Sequence, residues 1–222
     1  MNRYLTQNKI CAIIPFYNES KTINEIIQKT IPYVDLLIAV NDGSTDDSID
    51  KIPNDEKIVL ISYNENRGKG YALNKGFAEG AKRNCSYTIT LDADLQHLPE
   101  YIPTFISAMD NFDIVIGNRL ENMKNMPLQR ILSNKLTSYL LGKKTKQKLF
   151  DTQCGFRSFK TEILKDILPK FNGFEAESEI LVRAYRKNYK IGFVSIPTIY
   201  GNEKSKMKAI QAIWGFIKVM MV

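Results

Sequence analysis

Two aspartates separated by a single residue are the most chemically suggestive pattern in the chain. Asp92 and Asp94 follow a short apolar run, and Gln96 comes two residues later. Oxygen ligands at this spacing can share one hard divalent cation, Mg²⁺ or Mn²⁺, which readily bridges phosphates. Beside a diphosphate, the cation would neutralise the charge that grows on a departing leaving group. An isolated Asp-x-Asp is most often a pair of solvated loop carboxylates. Whether this pair is a metal site must therefore be judged from the surrounding sequence.

Two other polar clusters could contact a phosphorylated ligand. Asp42 precedes Gly-Ser-Thr-Asp (43–46), so its carboxylate could accept hydrogen bonds from a base or ribose lying against the small residues. The alternative is an Asx turn that caps a helix at Asp46. Asn-Arg-Gly-Lys-Gly (66–70) places two cations at the start of a predicted helix, which favours anion binding. A solvated basic loop is the other interpretation.

The segments between these clusters alternate between strand and helix patterns. Strands are predicted at 10–14, 36–40, 58–62, 87–91 and 113–117, with helices at 19–31 and 68–82. This order predicts an α/β fold with an open, mostly parallel sheet that carries helices on both faces. Ligands bind at the carboxyl ends of the strands in such sheets. A polar cluster follows each of the five strands, so we expect one crevice lined by all five.

The order beyond residue 120 is less regular. Helices are predicted at 128–141, 163–168 and 177–187, a basic loop at 142–148, and a last strand at 191–196.

Bulk composition limits the class of protein. The chain has 222 residues, 44% of them hydrophobic, and a formal net charge of +7, which predicts one large domain with an anionic partner. Three scattered cysteines, no secretory leader and no apolar run of about 18 residues predict a cytoplasmic protein, soluble or peripheral to the membrane. Nucleic acid is not expected as a partner, because no RNA-binding motif or DNA-reading helix is evident. A homo-oligomer is compatible with the sequence.

Four segments resemble the successive motifs of family 2 glycosyltransferases, in the order of that family. They are IIPFYNE (13–19), VNDGSTD (40–46), NRGKG (66–70) and LDADLQHLPE (91–100). Five later sites are similar to the dolichyl-phosphate mannosyltransferase branch, which includes bacterial polyprenyl-phosphate sugar transferases: GNR (117–119), Arg130, DTQCGFR (151–157), FEAE (174–177) and SK (205–206). The resemblance covers roughly residues 9–206 and implies the GT-A fold, a Rossmann-like sheet with a metal-bridging Asp-x-Asp.

The resemblance also implies roles for individual residues. It assigns the metal to Asp92, Asp94 and Gln96. It assigns the nucleotide-sugar to the following residues: Pro15, Tyr17, Glu19, Asp42, Lys69, Asp92 and Lys206. Arg119 and Arg130 would meet the acceptor phosphate, and Arg157 with Lys206 would bind donor or acceptor phosphates, since guanidinium groups match phosphate oxygens. For each arginine the alternative is a surface salt bridge.

The implied reaction is an inverting, single-step transfer of a sugar from a UDP- or GDP-sugar to a polyprenyl phosphate, either dolichyl or undecaprenyl. A phosphate monoester is already anionic at neutral pH and needs no strong base. A family 2 enzyme acting on a sugar hydroxyl would need one, and Glu175, Glu177 and Glu179 are the candidates, without a firm assignment. A non-catalytic nucleotide-binding module is a third alternative. His97 and Cys154 are interpreted as structural.

Residues 1–206 are predicted to form the catalytic domain and 207–222 an amphipathic helix. Apolar residues and Trp214 surround a narrow polar stripe, which consists of Lys208, Gln211, Gly215 and Lys218. A wide apolar face with lysines is typical of a helix in the membrane interface. Docking onto the protein's own core or a partner subunit is the other interpretation.

Overall fold

One seven-stranded sheet organises the molecule. The computed structural model describes residues 8–121, 126–199 and 209–222. The strands are β1 (Ile10–Phe16), β2 (Leu36–Asp42), β3 (Ile58–Tyr63), β4 (Tyr87–Thr90), β5 (Ile114–Asn118), β6 (Arg157–Lys160) and β7 (Ile191–Ser195). Their order across the sheet is β3-β2-β1-β4-β6-β5-β7.

All strands except β6 run in the same direction. β6 lies between β4 and β5 and pairs antiparallel with both, while the other neighbouring strands pair in parallel. The predicted α/β class with a mostly parallel sheet is therefore confirmed, and the carboxyl ends of β1, β2, β4 and β5 meet at one edge. β6 is absent from the prediction because it has four residues and charged side chains at both ends, which hides a strand pattern.

Seven helices surround the sheet in the described residues. They are α1 (Ile23–Thr30), α2 (Lys69–Lys82), α3 (Ile102–Ala108), α4 (Leu128–Thr145), α5 (Leu164–Ile167), α6 (Ala176–Arg186) and α7 (Ala209–Met221). α3 was not predicted. α4 extends through the first part of the predicted basic loop and ends where Lys146 takes a left-handed conformation with φ of 49°.

The core lies on both sides of β1 and β2. Nearly every residue of these two strands is buried, which requires cover on both faces because successive side chains point in opposite directions. α2 approaches β1 closely at Gly76, where an added Cβ would stand 2.4 Å from Cγ2 of Ile13. The glycine therefore sets the distance between helix and sheet.

α7 packs against α4 and α6. Val219 and Gly215 are buried, and a Cβ at Gly215 would stand 3.1 Å from Cβ of Glu175. Gly215 was predicted as part of the narrow polar stripe, whereas the structure buries it at a close contact with Glu175. None of the described helices is both long enough and apolar enough to cross a membrane.

We expect Gly76→Ala to destabilise the protein by about 1–3 kcal/mol, since the new methyl group overpacks a buried contact and outweighs the gain in helix propensity. Urea denaturation measures the effect. Gly80→Ala on the same helix is the matched control: its Cβ would lie 3.0 Å from the Cys11 sulfur, so the loss should be smaller. A Gly76→Ala protein as stable as the wild type would contradict this account of the packing.

Candidate active site

A chain of alternating charges lies at the carboxyl end of β4. Lys69, the first residue of α2, contacts Oδ1 of Asp92 at 2.5 Å and Oε1 of Glu177 at 2.9 Å through its Nζ atom. Burial opposes the charge on Lys69, but the two carboxylates outweigh it and raise the pKa of the ammonium. Burial likewise opposes the charge on Asp92, yet Lys69 above all lowers its pKa to about 2. Both groups are therefore charged at neutral pH.

The loop before β6 presses against the Asp92 carboxylate. A Cβ on Gly155 would stand 2.4 Å from Oδ2 of Asp92, so a larger residue would displace the carboxylate. The carbonyl of Gly155 accepts a hydrogen bond of 2.8 Å from the Thr90 hydroxyl at the end of β4. The loop 151–156 is thereby fixed to the strand that carries the aspartate.

His97 supports the same bend from behind. Its Nδ1 accepts a hydrogen bond of 3.2 Å from the backbone N–H of Asp92, which assigns the proton to Nε2. Burial lowers the pKa of His97 to about 4, so the ring is neutral at pH 7. Nε2 lies 3.9 Å from Sγ of Cys154, whose pKa burial raises to about 12. Both side chains are buried behind the bend, and their interpretation as structural residues stays a prediction.

Asp94 and Gln96 lie on a tight turn that follows Asp92. Oδ1 of Asp94 accepts a hydrogen bond of 3.0 Å from the N–H of Gln96, and Leu95 between them has φ of 61°. The described residues contain no cluster of three or more histidines, cysteines or carboxylates suited to a metal. Two carboxylates and an amide oxygen on one bend fit a hard cation that takes its other ligands from a bound diphosphate.

Asp42 occupies the anion site predicted at the start of α2. Its Oδ1 and Oδ2 accept hydrogen bonds from the N–H groups of Arg67 (2.8 Å) and Gly68 (2.9 Å). The N–H of Gly70 donates to the carbonyl of Asn172 at 2.6 Å. These three N–H groups already have protein acceptors, so the anion binding predicted for 66–70 would have to use the side chains of this segment. Asp42 connects the end of β2 to the start of α2.

The remaining residues predicted for the nucleotide lie where β1 ends. Pro15 belongs to β1, and Tyr17 and Glu19 follow it, all partly buried. The side chain of Asn18 accepts a hydrogen bond of 2.8 Å from the Thr45 N–H, and Ser48 Oγ accepts one of 2.8 Å from the Glu19 N–H. The loops after β1 and β2 are thus joined, and the structure brings these residues to the same edge as Asp92.

Arg119 forms a bidentate ion pair at the end of β5. Its Nε and Nη2 donate to the two carboxylate oxygens of Asp151 at 2.8 and 3.1 Å, and Asp151 is fully buried. The same arginine contributes to lowering the pKa of Asp92, so its charge acts on the site. Asp151 holds the plane of the guanidinium and determines its direction.

Arg157 has a different place from the one predicted. It is 1% exposed, and its guanidinium donates to three backbone carbonyls: those of Thr152 (2.9 Å), Cys154 (2.8 Å) and Glu177 (2.6 Å). The prediction of a phosphate contact is corrected, because these carbonyls engage all three nitrogens inside the protein. Arg157 joins the loop before β6 to α6.

Two further cations, Arg130 and Lys206, were predicted for phosphate contacts. Arg130 is exposed in the first turn of α4. Lys206 lies outside the described residues.

Two residues that shape the site, Asp151 and Gly155, had no role in the prediction, and a third, Glu177, has a different contact from the role considered for it. Asp151 and Gly155 belong to the DTQCGFR motif, so their position was marked, but only the fold shows what they contact. Glu177 was one of three candidate bases. Its partner Lys69 is more than a hundred residues away in the chain, a pairing that no local pattern encodes.

We expect the stability of the metal-free protein to fall by about 2 kcal/mol between pH 6.5 and pH 5. The pKa of His97 is lower in the folded than in the unfolded protein, so the unfolded state binds the proton first as the pH falls. The stability that the neutral ring contributes above pH 6.5 is therefore lost as the pH falls towards 4. The chain has a single histidine, so His97→Asn should flatten this slope. Urea titrations in EDTA test it; an unchanged slope would contradict the buried neutral ring.

Arg157→Met should destabilise the protein by about 3 kcal/mol or more, because three buried carbonyls lose their donors. Arg130→Met, an exposed site, is the control and should change stability by less than about 0.5 kcal/mol. Denaturation midpoints and binding of a nucleotide-sugar are measured together. An Arg157→Met protein that is fully stable but inactive would instead favour direct contact with a substrate phosphate.

Solved structures share this fold. Glucosyl-3-phosphoglycerate synthase from Mycobacterium tuberculosis in complex with UDP superposes with a TM-score of 0.76 over 99% of this chain and 82% of that chain, at 18% identity. Its complex with Mn²⁺, UDP and glucosyl-3-phosphoglycerate gives a TM-score of 0.75. The predicted GT-A fold is thereby confirmed.

Relatives by sequence cover most of the chain. An uncharacterized protein from Methanocaldococcus jannaschii is 30% identical over 96% of this chain and 90% of its own length. The UDP-N-acetylglucosamine–dolichyl-phosphate N-acetylglucosaminyltransferase of Methanococcus voltae is 29% identical over 93% and 92%. The undecaprenyl-phosphate 4-deoxy-4-formamido-L-arabinose transferase of Proteus mirabilis is 29% identical over 76% of this chain and 54% of its own length.

The profile of Glycosyl transferase family 2 matches residues 11–168, from β1 through the DTQCGFR loop and β6 to the end of α5. This match spans every strand end that forms the site, and with it the chain belongs to glycosyl transferase family 2.

Proposed function

We propose that this glycosyltransferase moves a sugar from a UDP- or GDP-sugar onto the phosphate of a polyprenyl lipid, with inversion at the anomeric carbon. The observation that carries the proposal is the charge arrangement at the edge of the sheet. Lys69 and Arg119 both act on Asp92, and each is held by a further carboxylate, Glu177 or Asp151. Two fixed cations beside an acidic bend suit a reaction between two phosphorylated substrates.

The donor is assigned to the side of the site formed by β1, β2 and β4. Asp92, Asp94 and Gln96 would hold Mg²⁺ or Mn²⁺, which neutralises the charge of the leaving nucleoside diphosphate. Glucosyl-3-phosphoglycerate synthase, which shares the fold, has been solved with Mn²⁺ and UDP. Pro15, Tyr17 and Glu19 would line the nucleotide. Asp42 would act mainly by holding the adjoining loop, since both of its oxygens already accept backbone N–H groups.

The acceptor is assigned to Arg119 and Arg130, at the end of β5 and the start of α4. In the proposed step an acceptor phosphate oxygen forms a bond to the anomeric carbon. The bond from that carbon to the diphosphate oxygen breaks, and the leaving diphosphate takes the electron pair. Asp151 keeps the Arg119 guanidinium in one plane, so no reorganisation is needed when the acceptor binds. Lys206 remains a prediction from the sequence for a phosphate contact.

The contacts of two of the three candidate bases, Glu177 and Glu179, favour a phosphate acceptor over a sugar hydroxyl. Glu177 is paired with Lys69. Glu179 is 1% exposed and accepts hydrogen bonds from two backbone N–H groups and from Arg183. These two carboxylates therefore serve the structure, whereas a hydroxyl acceptor needs a carboxylate that can take a proton. A phosphate monoester with a second pKa near 6 needs none.

The lipid acceptor also implies a place of action. Relatives in Methanococcus voltae and Proteus mirabilis are named for dolichyl-phosphate and undecaprenyl-phosphate. We extend this to the present chain and propose that it works as a peripheral protein at the cytoplasmic face of the membrane.

Transfer is tested with Mn²⁺ or Mg²⁺, a panel of UDP- and GDP-sugars, and undecaprenyl or dolichyl phosphate. We expect a lipid-phosphate sugar to form and EDTA to stop the reaction. Asp94→Asn should lower kcat/KM at least about a hundredfold, because the charge at the proposed metal is lost. Asp50→Asn, an exposed carboxylate away from the strand ends, is the control and should retain activity.

The rate should rise with pH through about 6, as the acceptor phosphate loses its second proton. Turnover that requires a glycan hydroxyl, with no product on the lipid phosphate, would replace the proposal with the hydroxyl-acceptor enzyme. Absence of turnover with every donor, together with nucleotide binding that ignores metal, would leave only a binding module.

A further inference from the structure

The helix α4 has its apolar and polar faces exchanged relative to an ordinary surface helix. The residues that face the protein are Asn134, Ser138, Leu141 and Thr145, three of them polar. The opposite face carries large apolar side chains that are 57–69% exposed: Leu128, Leu132, Leu136 and Tyr139. In a soluble protein the apolar stripe faces the core. The outward face of α4 is therefore suited to apolar surroundings.

α7 extends this apolar surface. It packs against α4, and Nζ of Lys144 donates a hydrogen bond of 2.9 Å to the carbonyl of Met220. Its exposed apolar side chains are Ile213, Trp214, Ile217 and Met221. Eight of the thirteen large hydrophobic side chains exposed in the described residues lie on these two helices, so the exposure is concentrated and not scattered.

The charges on both helices have one sign. Neither helix contains an aspartate or glutamate, whereas the cations are Arg130, Lys135, Lys143, Lys144 and Lys218. At 3.6 residues per turn, Lys135 lies at one edge of the apolar stripe of α4, and Lys143 continues the stripe one turn after Tyr139. Nζ of Lys143 lies 4.9 Å from the centre of the Tyr139 ring. Lysines beside exposed leucines and aromatic rings suit the boundary between lipid headgroups and acyl chains.

We propose that the outward faces of α4 and α7, here called the α4/α7 face, dock onto the surface of an anionic phospholipid bilayer. The eight apolar side chains enter the headgroup boundary, and the lysines and Arg130 contact lipid phosphates. The inference deepens the proposed function and rests on it in one respect, namely that the acceptor is a membrane lipid.

Charge favours a bilayer over a second copy of the chain. A two-fold symmetric contact would place the α4/α7 face against the same face of the second copy, so cations would face cations. Anionic lipid instead attracts each basic side chain near the surface with about 1 kcal/mol. Trp214 and Tyr139 are residue types enriched where apolar and aqueous phases meet.

The inner face of α4 connects this surface to the active site. Oγ of Ser138 accepts a hydrogen bond of 3.0 Å from the Thr152 N–H, and Nε2 of Gln153 donates one of 3.0 Å to Oγ1 of Thr137. Thr152 and Gln153 belong to the loop that holds Arg119 through Asp151. Docking by α4 would therefore set the proposed acceptor site at a fixed height above the lipid.

The test is flotation of the whole chain with vesicles of phosphatidylcholine, with and without phosphatidylglycerol. We expect binding to the anionic vesicles, weakened by salt because the attraction is screened. Leu132→Ser combined with Leu136→Ser should lower the partition coefficient at least about tenfold. The matched control is Ile49→Ser combined with Leu60→Ser, which removes two exposed apolar residues elsewhere and should leave binding unchanged.

Three results would overturn the inference. They are absence of binding to anionic vesicles, equal loss in both double variants, and a lipid-free dimer that only the α4 variant dissociates, since the face would then belong to a second copy. Turnover on a short-chain, water-soluble polyprenyl phosphate separates the two proposals. Turnover without vesicle binding removes this inference alone, and vesicle binding without turnover on any polyprenyl phosphate removes the proposed function alone.

Discussion

The guanidinium of Arg157 is the interaction on which the site depends. It brings the carbonyls of Thr152 and Cys154, in the loop before β6, against that of Glu177 in α6. Burying a charge in this way is costly unless every donor finds an acceptor, and here each of its three nitrogens does. With the loop fixed, Gly155 lies against Asp92 and Asp151 reaches Arg119. With α6 fixed, Glu177 reaches Lys69.

Lys69 and Arg119, which both lower the pKa of Asp92, are each paired with a further carboxylate, Glu177 or Asp151. The result is a preorganised set of charges, because Glu177 and Asp151 hold the side chains of Lys69 and Arg119 in fixed positions relative to Asp92. The same logic operates at the start of α2, where the carboxylate of Asp42 occupies the N–H groups that a phosphate could have used. The protein satisfies its own backbone there.

Much of the fold follows from local sequence. Buried runs in β1 and β2 and the polar clusters after them predict the sheet and its ligand edge. The positions of strands along the chain, and their burial, can be inferred from the periodicity of apolar residues. β6 could not be predicted, because its pattern is only four residues long. Its antiparallel position between β4 and β5 depends on partners that lie far away in the chain. Asp92 and Arg119 were marked by residue type and by the resemblance. The partners that hold them could not be found, since pairing between distant segments is decided by tertiary packing.

If the acceptor is a lipid and the α4/α7 face docks as proposed, the exchanged faces of α4 have a kinetic consequence. A protein held in the headgroup layer meets that acceptor by lateral diffusion, while the nucleotide-sugar arrives from the water. The second-substrate encounter then depends on the mole fraction of acceptor in the membrane and hardly on its bulk concentration. Under those conditions, added inert lipid dilutes the acceptor in the membrane and lowers the rate. The outward face of α4 then influences the rate, because it determines whether the protein stays in that layer.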